Sequence, residues 1–169
     1  MAEFKAFDVD SVCDFVAGHE TLRAIVGDGH ITAREIGDGN LNLAFAIKSD
    51  QSAHPTLLVK QALPYLRVAG EGWPLTRDRM RFESESLLFH NKIAPGLVPK
   101  VFAHDLDNSW VAMEFLANHD VLRHAIKAAV PLRDASNQII GVANLSSIDR
   151  GNPADGLFAE QVLGAAAHR

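Results

Sequence analysis

Cysteine is almost absent from this sequence of 169 residues, which contains a single one, Cys13. One cysteine excludes an internal disulfide framework and is typical of a reducing compartment. Long apolar runs are also missing, and no stretch approaches the roughly 20 residues that a membrane-spanning helix needs. Residues 1–5 lack the basic and then apolar pattern of a signal peptide. We therefore expect a cytoplasmic protein with no membrane segment.

The sequence also has no excess of basic residues. The sequence has 16 Lys+Arg against 21 Asp+Glu, a net charge of −5. This balance disfavours binding to nucleic acid or to an anionic membrane surface, and it leaves room for a local basic pocket that takes phosphates. Hydrophobic residues make up 47% of the chain, enough for the core of one ordinary domain or of two small ones.

The sequence does contain a regular order of helix and strand patterns. The spacing of apolar residues from Val9 to Val16 predicts a first helix, which Asp8 or Asp10 can cap and which we expect to reach residue 25. A second helix is predicted at 77–92, capped by Thr76. The predicted strands are 31–36, 41–48, 56–60, 98–103 and 110–116, and 70–74 is predicted to be a loop. This order indicates an α+β fold, the small lobe of a kinase-like protein, with a five-stranded antiparallel sheet and one packing helix.

The last part of the chain has a different pattern. A β-hairpin is predicted from 128–133 and 139–147, followed by a loop at 151–156 and an alanine-rich helix at 157–168. We expect two domains, residues 1–123 and 129–169, although no Gly/Ser/Pro linker separates them.

A glycine-rich turn joins the first two predicted strands. It contains Gly37, Asp38, Gly39 and Asn40, and Asn42 stands where a G-x-G-x-x-G loop would have its third glycine. Glycines let a backbone come close to phosphates, and the Asn42 amide can donate to a phosphate oxygen. An ordinary hairpin turn is the alternative for the same residues.

A lysine and an exposed strand end complete the candidate site. Lys60 ends the third strand and is a candidate for the α- and β-phosphates of a nucleotide, or else a surface lysine. Its partner would be an acid on the following helix, first Glu83 and second Glu85. The fifth strand ends with Glu114, Phe115 and Leu116. In a kinase-like lobe, the backbone at this position forms hydrogen bonds with adenine. The alternative is that these residues are an ordinary strand end.

Groups that would transfer a phosphate are not recognisable. Residues 104–108 resemble a catalytic loop of the H-x-D-L-x-x-x-N type, but their spacing is wrong and they fall between two strands, so a polar turn is expected. The histidines show no metal-ligand spacing. We assign no catalytic residue and no metal ligand.

Several segments together resemble S-methyl-5-thioribose kinases. They are residues 35–42, 58–65, 70–79, 95–101 and 111–116, and the resemblance extends over about residues 8–123. That family uses ATP and Mg²⁺ to phosphorylate the 1-hydroxyl of methylthioribose in methionine salvage, on a two-lobed kinase-like fold. The resemblance implies phosphate contacts from Asn40, Asn42 and Lys60, adenine contacts from residues 114–116, and a loop over the nucleotide at 73–79.

The resemblance ends at Arg123, before the family's large lobe. That lobe carries a His-Gly-Asp catalytic segment, metal-binding acids and an arginine for the sugar, which have no counterpart here. The resemblance therefore implies an ATP-binding lobe that is catalytically incomplete in this chain and meets methylthioribose only if a large lobe is supplied. A non-catalytic nucleotide-binding or regulatory module is the alternative, and an incomplete or recombined reading frame is a third.

Two further expectations concern surfaces. A small lobe by itself exposes the face that packs on the large lobe, so we expect self-association. The tail, at 130–134, 139–147 and 158–168, resembles the closing hairpin and helix of a GAF sensory domain, and more distantly a PAS domain. No ligand residue follows from that likeness, and a hairpin and helix that merely cover the small lobe are the alternative.

Overall fold

A five-stranded antiparallel sheet organises the N-terminal part of the chain. The computed structural model describes residues 4–36, 41–119, 131–133, 136 and 138–142. The elements of this part are α1 (Val9–Gly18), α2 (Glu20–Val26), β1 (Ile31–Glu35), β2 (Asn42–Ser49), β3 (Leu57–Ala62), β4 (Tyr65–Leu66), β5 (Gly70–Pro74), α3 (Asp78–Ile93), β6 (Val101–Asp105) and β7 (Trp110–Glu114). The strand order β1-β2-β3-β7-β6 places β3 at the centre. The predicted α+β fold, with the sheet of a kinase-like small lobe, is confirmed.

The two faces of the sheet pack against different helices. Ala44 pairs with Lys60 and Lys60 pairs with Val111, so their side chains share one face, against which Met80 of α3 is buried. The opposite face is covered by α1 and α2, whose side chains are buried with strand residues in a larger cluster. Its members include Val12, Val16, Leu22, Phe45, Ile47, Val59 and Ala112. The prediction named one packing helix; the structure adds helices on the second face.

The N-terminal helix is two helices. Asp8 caps α1 as predicted: its carboxylate accepts from Ser11 N–H at 2.7 Å, and Ser11 Oγ accepts from Asp8 N–H at 2.8 Å. The prediction of one helix as far as residue 25 was wrong. His19 has φ −99° and ψ 106°, which ends α1, and its Nδ1 accepts from Leu22 N–H to begin α2.

The segment 70–74 is a strand and not the predicted loop. β5 pairs antiparallel with the short β4, with Tyr65 opposite Pro74 and Leu66 opposite Gly70. The register shifts between Tyr65 and Leu66, which indicates a bulge. This hairpin leads directly into α3, whose N-cap residue, Arg77, has no side-chain capping bond. The hydroxyl of Thr76 instead accepts from Asp78 N–H at 3.2 Å.

The chain divides into two compact units, Met1–Ala117 and Asn118–Arg169. In the second, β8 (Pro131–Arg133) pairs antiparallel with β9 (Ile139–Val142), so the predicted hairpin is present over these residues. The predicted helix at 157–168 lies outside the described residues, and the domain ranges 1–123 and 129–169 stay predictions. In the part of the chain that the structure describes, no helix has the length and apolar character needed to cross a membrane.

Candidate functional site

An ion pair joins the centre of the sheet to α3. The ammonium of Lys60 on β3 contacts the carboxylate of Glu83 on α3, and both side chains are about three-quarters buried, with 27% and 28% of their surfaces exposed. Glu83, the first choice of partner from the sequence, is therefore confirmed as the partner. Glu85 is paired instead with Arg81 at 3.6 Å on the exposed side of the helix. The nucleotide-binding role of the pair stays a prediction.

Packing of α3 places Glu83 beside Lys60. Met80, one turn before Glu83, is fully buried against Ala62, Val111 and Met113 of the sheet. The next turn is closed by Ser84, which is buried and donates to the Met80 carbonyl at 2.8 Å. Residues three apart lie on neighbouring parts of a helix surface, so Glu83 sits at the margin of the buried stripe and reaches the strand lysine.

Asn42 lies on the same face of the sheet as Lys60. Ala44 is directly opposite Lys60, and Asn42 is two residues before Ala44 on β2. Two residues advance a strand by about 7 Å, so the Asn42 amide and the Lys60 ammonium are diagonal neighbours on one face. The side-chain oxygen of Asn42 accepts from Arg79 Nε at 3.0 Å. Two groups of the predicted phosphate site are thus brought together.

The glycine-rich turn lies outside the described residues. The turn comprises Gly37, Asp38, Gly39 and Asn40. It connects β1 to β2, and the Ile36 N–H on its near side donates to the Ala44 carbonyl at 2.8 Å. Ile36, the described residue before the turn, is therefore bonded to the residue opposite Lys60, while the predicted phosphate contacts of the turn stay predictions.

The predicted adenine-binding segment begins at Glu114, the last residue of β7. Glu114 N–H donates to the Lys100 carbonyl at 2.8 Å, and Phe115 N–H donates to the Thr56 carbonyl at 3.2 Å. The Glu114 carboxylate accepts from Lys100 N–H at 3.3 Å. No described residue accepts a hydrogen bond from Leu116 N–H, and this residue is 38% exposed. Of the three predicted hinge residues, Leu116 is thus the one whose N–H has no acceptor among the described residues, and the adenine contact stays a prediction.

The sequence that resembled a catalytic loop is a polar turn, as predicted. Asp105 accepts from the N–H groups of Asp107 and Asn108 at 2.8 and 3.0 Å and from the Asn108 side-chain amide at 2.8 Å. Burial acts to raise the pKa of Asp105, but the three hydrogen bonds outweigh it and lower that pKa below its ordinary value. These bonds close the β6–β7 connection, where Ser109 has a positive φ of 57°.

Arg79 is the last residue of the segment 73–79 that the resemblance places over the nucleotide, but the sequence analysis gave it no contacts of its own. Its guanidinium donates to the Asn42 side chain and to three backbone carbonyls, those of Leu41, Leu63 and Thr76. Burial lowers the pKa of Arg79. Local sequence spacing carries no signal for a contact between residues 37 positions apart.

The described residues of the candidate site suit a nucleotide phosphate but do not suit a metal ion such as Mg²⁺. Within residues 4–36 and 41–119 and the described part of the second unit, no group of three or more His, Cys, Asp or Glu is arranged to hold a metal ion. The described residues do not fit a resident metal ion, and we assign none of them as a metal ligand. Lys60 and the Asn42 amide are donors on one face, which fits phosphate oxygens.

A separate cavity of about 560 Å³ lies on the other face of the sheet. Its lining includes Phe7, Phe15, Gln61 and Trp110. Gln61 follows Lys60 on β3, and consecutive side chains point to opposite faces of a strand. This cavity is therefore not part of the Lys60 site.

Comparison with known proteins shows sequence similarity over more than half of the chain. A methylthioribose kinase of Yersinia pseudotuberculosis (serotype O:1b, strain IP 31758) is 48% identical over 96 residues, 57% of this chain and 23% of the relative. This part of the chain is similar to methylthioribose kinases. A second methylthioribose kinase, from Pectobacterium atrosepticum, is 43% identical over 109 residues, 64% of this chain and 27% of the relative. No family model matches the sequence.

The resemblance predicted from the sequence is thereby confirmed for the N-terminal part. The chain spans about a quarter of the length of these methylthioribose kinases, 23% and 27% in the two comparisons. The GAF-like character of the tail stays a prediction.

Proposed function

We propose that this chain provides the ATP-binding lobe of a methylthioribose-kinase-type sugar kinase. The observation that carries the proposal is the Lys60–Glu83 ion pair, which joins the central strand to α3. The same pairing of a strand lysine with a helix glutamate positions the ammonium for nucleotide phosphates in protein kinases. The sequence likeness supplies the family, since the two methylthioribose kinases compared above are 48% and 43% identical to this part of the chain.

Each proposed contact uses a group whose chemistry suits it. The Lys60 ammonium, held by Glu83, takes the α- and β-phosphates, and the Asn42 amide donates to a further phosphate oxygen. The turn from Gly37 to Asn40 adds backbone N–H groups. The backbone at Glu114, Phe115 and Leu116 takes the adenine edge, with Leu116 N–H as donor.

ATP supplies the phosphoryl group when it is bound, and Mg²⁺ enters with the nucleotide. The chain's own part is to bind and orient the phosphates. Glu83 keeps the Lys60 side chain in one conformation, so that less side-chain entropy is lost when a nucleotide binds. Methylthioribose is the substrate only when the parts of a complete kinase beyond this lobe are present.

The second candidate function is nucleotide binding without catalysis. It is favoured by the end of the resemblance before the family's His-Gly-Asp segment. The two candidates share the nucleotide site and differ in turnover. Incubation with ATP, Mg²⁺ and methylthioribose separates them: we expect no phosphorylated sugar from this chain alone, and sustained turnover would identify a complete enzyme.

Calorimetric titration with ATP, with and without Mg²⁺, tests the nucleotide site. Loss of a hydrogen bond to a charged group costs about 1.5–3 kcal/mol, so Lys60→Ala should weaken ATP binding by about tenfold or more. Lys48→Ala is the matched control. Lys48 lies on the neighbouring strand β2, four residues after Ala44, which is opposite Lys60. The substitution should leave the affinity within about twofold, as expected for a change that removes no ligand contact. An ATP affinity that is unchanged in Lys60→Ala would contradict the proposed site.

A further inference from the structure

Arg79 ties together three segments around the proposed phosphate site. It is the second residue of α3, and its Nε donates to Asn42 Oδ1 at 3.0 Å. One terminal nitrogen donates to the carbonyls of Leu41 at 2.7 Å and Leu63 at 2.6 Å, and the other donates to that of Thr76 at 2.5 Å. The start of β2, the exit of β3 and the entry to α3 are therefore held by one planar group.

The guanidinium keeps its positive charge without a counter-ion in the described part of the chain. All four of its acceptors are neutral oxygens, and the ion pairs found among the described residues do not include Arg79. By contrast, the charge of Lys60 is matched by Glu83. A half-buried positive charge in this position attracts an anionic ligand to the face next to Asn42.

The contact also decides which end of the Asn42 amide is available. A guanidinium has only donors, so the amide atom that faces Nε is the oxygen. The amide N–H₂ is then directed away from Arg79, and no described residue accepts from it. A reversed amide would set two donors against each other. Arg79 thereby leaves the N–H₂ as the available end of the amide of Asn42, a residue on the face that also carries Lys60.

We propose that Arg79 is a positioning residue, which fixes the Asn42 amide so that its N–H₂ donates to the phosphates of a bound nucleoside triphosphate. The inference rests on the proposed function, because it assigns a role within the same site. Arg79 acts through Asn42 and does not itself need to contact the ligand. A lysine in its place keeps the charge but cannot make the same four hydrogen bonds.

A double-mutant cycle tests the coupling of the two residues. Arg79→Lys, Asn42→Ala and the double variant are titrated with ATP and with adenosine, which lacks phosphates. Each single change should weaken ATP binding by about tenfold and leave adenosine binding within about twofold, since one hydrogen bond to a charged group is lost. The double variant should bind ATP no worse than Asn42→Ala, because without the amide nothing remains to be oriented. Arg81→Lys, two residues along α3, is the matched control and should bind ATP as the wild type does.

The variant Asn42→Asp separates a role of the Asn42 side chain in ATP binding from a role in the stability of the fold. The aspartate keeps an oxygen for Arg79 and gains an ion pair with it, so the melting temperature should hold or rise. ATP binding should nevertheless fall by more than about tenfold, because the carboxylate cannot donate and repels phosphate. This variant also serves where Arg79→Lys is too unstable to titrate.

The outcomes distinguish this inference from the proposed function. If ATP binds and Lys60→Ala weakens it, but the effects of Arg79→Lys and Asn42→Ala add in full, the positioning role is overturned and the nucleotide site stands. Equal weakening of ATP and adenosine by Arg79→Lys would likewise show a general structural role. If the wild type does not bind ATP, both proposals are overturned.

Discussion

The side-chain oxygen of Gln61, on the central strand, accepts a hydrogen bond from the backbone N–H of Phe7 at 2.7 Å. The Gln61 amide nitrogen donates to the Lys5 carbonyl at 3.0 Å and to the Asn108 carbonyl at 3.4 Å. Only 1% of Gln61 is exposed. One buried amide thus fastens the segment before α1 and the β6–β7 turn to the middle of the sheet.

Replacement of Gln61 should therefore destabilise the fold. Gln61→Ala leaves three backbone groups without their partner and opens a cavity, so we expect the free energy of unfolding to fall by about 2–4 kcal/mol. Urea denaturation followed by circular dichroism measures the change. Gln51→Ala, at an exposed turn position, is the control and should shift the value by less than about 0.5 kcal/mol. An equal effect of the two changes would mean that the Gln61 contacts contribute nothing.

Two glycines in the α2–β1 connection should differ in their tolerance of a side chain. Gly27 and Gly29 both have positive φ, 84° and 96°, but a Cβ at Gly27 meets open space. A Cβ at Gly29 would collide with the Asp50 carboxylate, which accepts from His30 N–H at 3.1 Å. Gly27→Ala should cost about 1–2 kcal/mol for backbone strain, and Gly29→Ala should cost more because Asp50 must also move.

Gly18→Ala is the internal standard for that comparison. Gly18 is the last residue of α1, and a Cβ there would meet open space, so alanine should stabilise the protein by about 0.5–1 kcal/mol. The three free energies of unfolding should rank with Gly18→Ala highest and Gly29→Ala lowest. A Gly29→Ala variant as stable as Gly27→Ala would contradict the predicted collision.

The β6–β7 turn should make stability depend on pH in the acid range. The pKa of Asp105 is lowered from its ordinary value of 3.8 in the folded state, so the ionised carboxylate stabilises the fold above about pH 4. That contribution is lost as the pH falls through the lowered pKa. Asp105→Asn should therefore be less stable than the wild type at neutral pH by up to about 1 kcal/mol, since water screens this open turn.

The pH series itself provides the control for Asp105. The difference in unfolding free energy between the wild type and Asp105→Asn should stay constant above about pH 5 and narrow as the pH falls below about 4, through the lowered pKa. A difference that is constant over the whole pH range would show that the charge of Asp105 is not what stabilises the turn.

Self-association should involve the outer face of α3. Phe82, Phe89 and Ile93 form a stripe along this helix, with 57%, 59% and 63% of their surfaces exposed. We expect sedimentation velocity to show association that grows with concentration, and Phe89→Ser with Ile93→Ser to reduce it. Val68→Ser removes an equally exposed apolar group, 71% exposed, from the β4–β5 turn and should not. A single monomeric species over the whole concentration range would refute this expectation.

The elements that the sequence predicted well are those with a strong local signal. The apolar alternation around Phe45 predicted β2, and the pairing of a strand lysine with an acid on the following helix, known from kinase-like folds, predicted Glu83 as the partner of Lys60. That pattern restricted the partner to the acids of the predicted helix, and the structure decides for Glu83 over Glu85.

The features that were missed depend on contacts distant in sequence or on weak local patterns. β5 contains Gly70, Gly72 and Pro74, residues that normally indicate a loop, and only pairing with β4 makes it a strand. The break at His19 uses an unusual imidazole cap. Arg79 could not be found because its four acceptors come from three separate segments that meet only in the folded chain.

The two halves of the Lys60–Glu83 pair are held by different kinds of interaction. β3 is hydrogen-bonded on both sides, to β2 and to β7, so a shift of Lys60 along its strand would break two ladders at once. α3 is attached to the sheet through side-chain packing around Met80 and through the contacts of Arg79 near its start. The lysine is therefore the stationary partner. A backbone movement that separates this ion pair is a movement of α3 and not of β3.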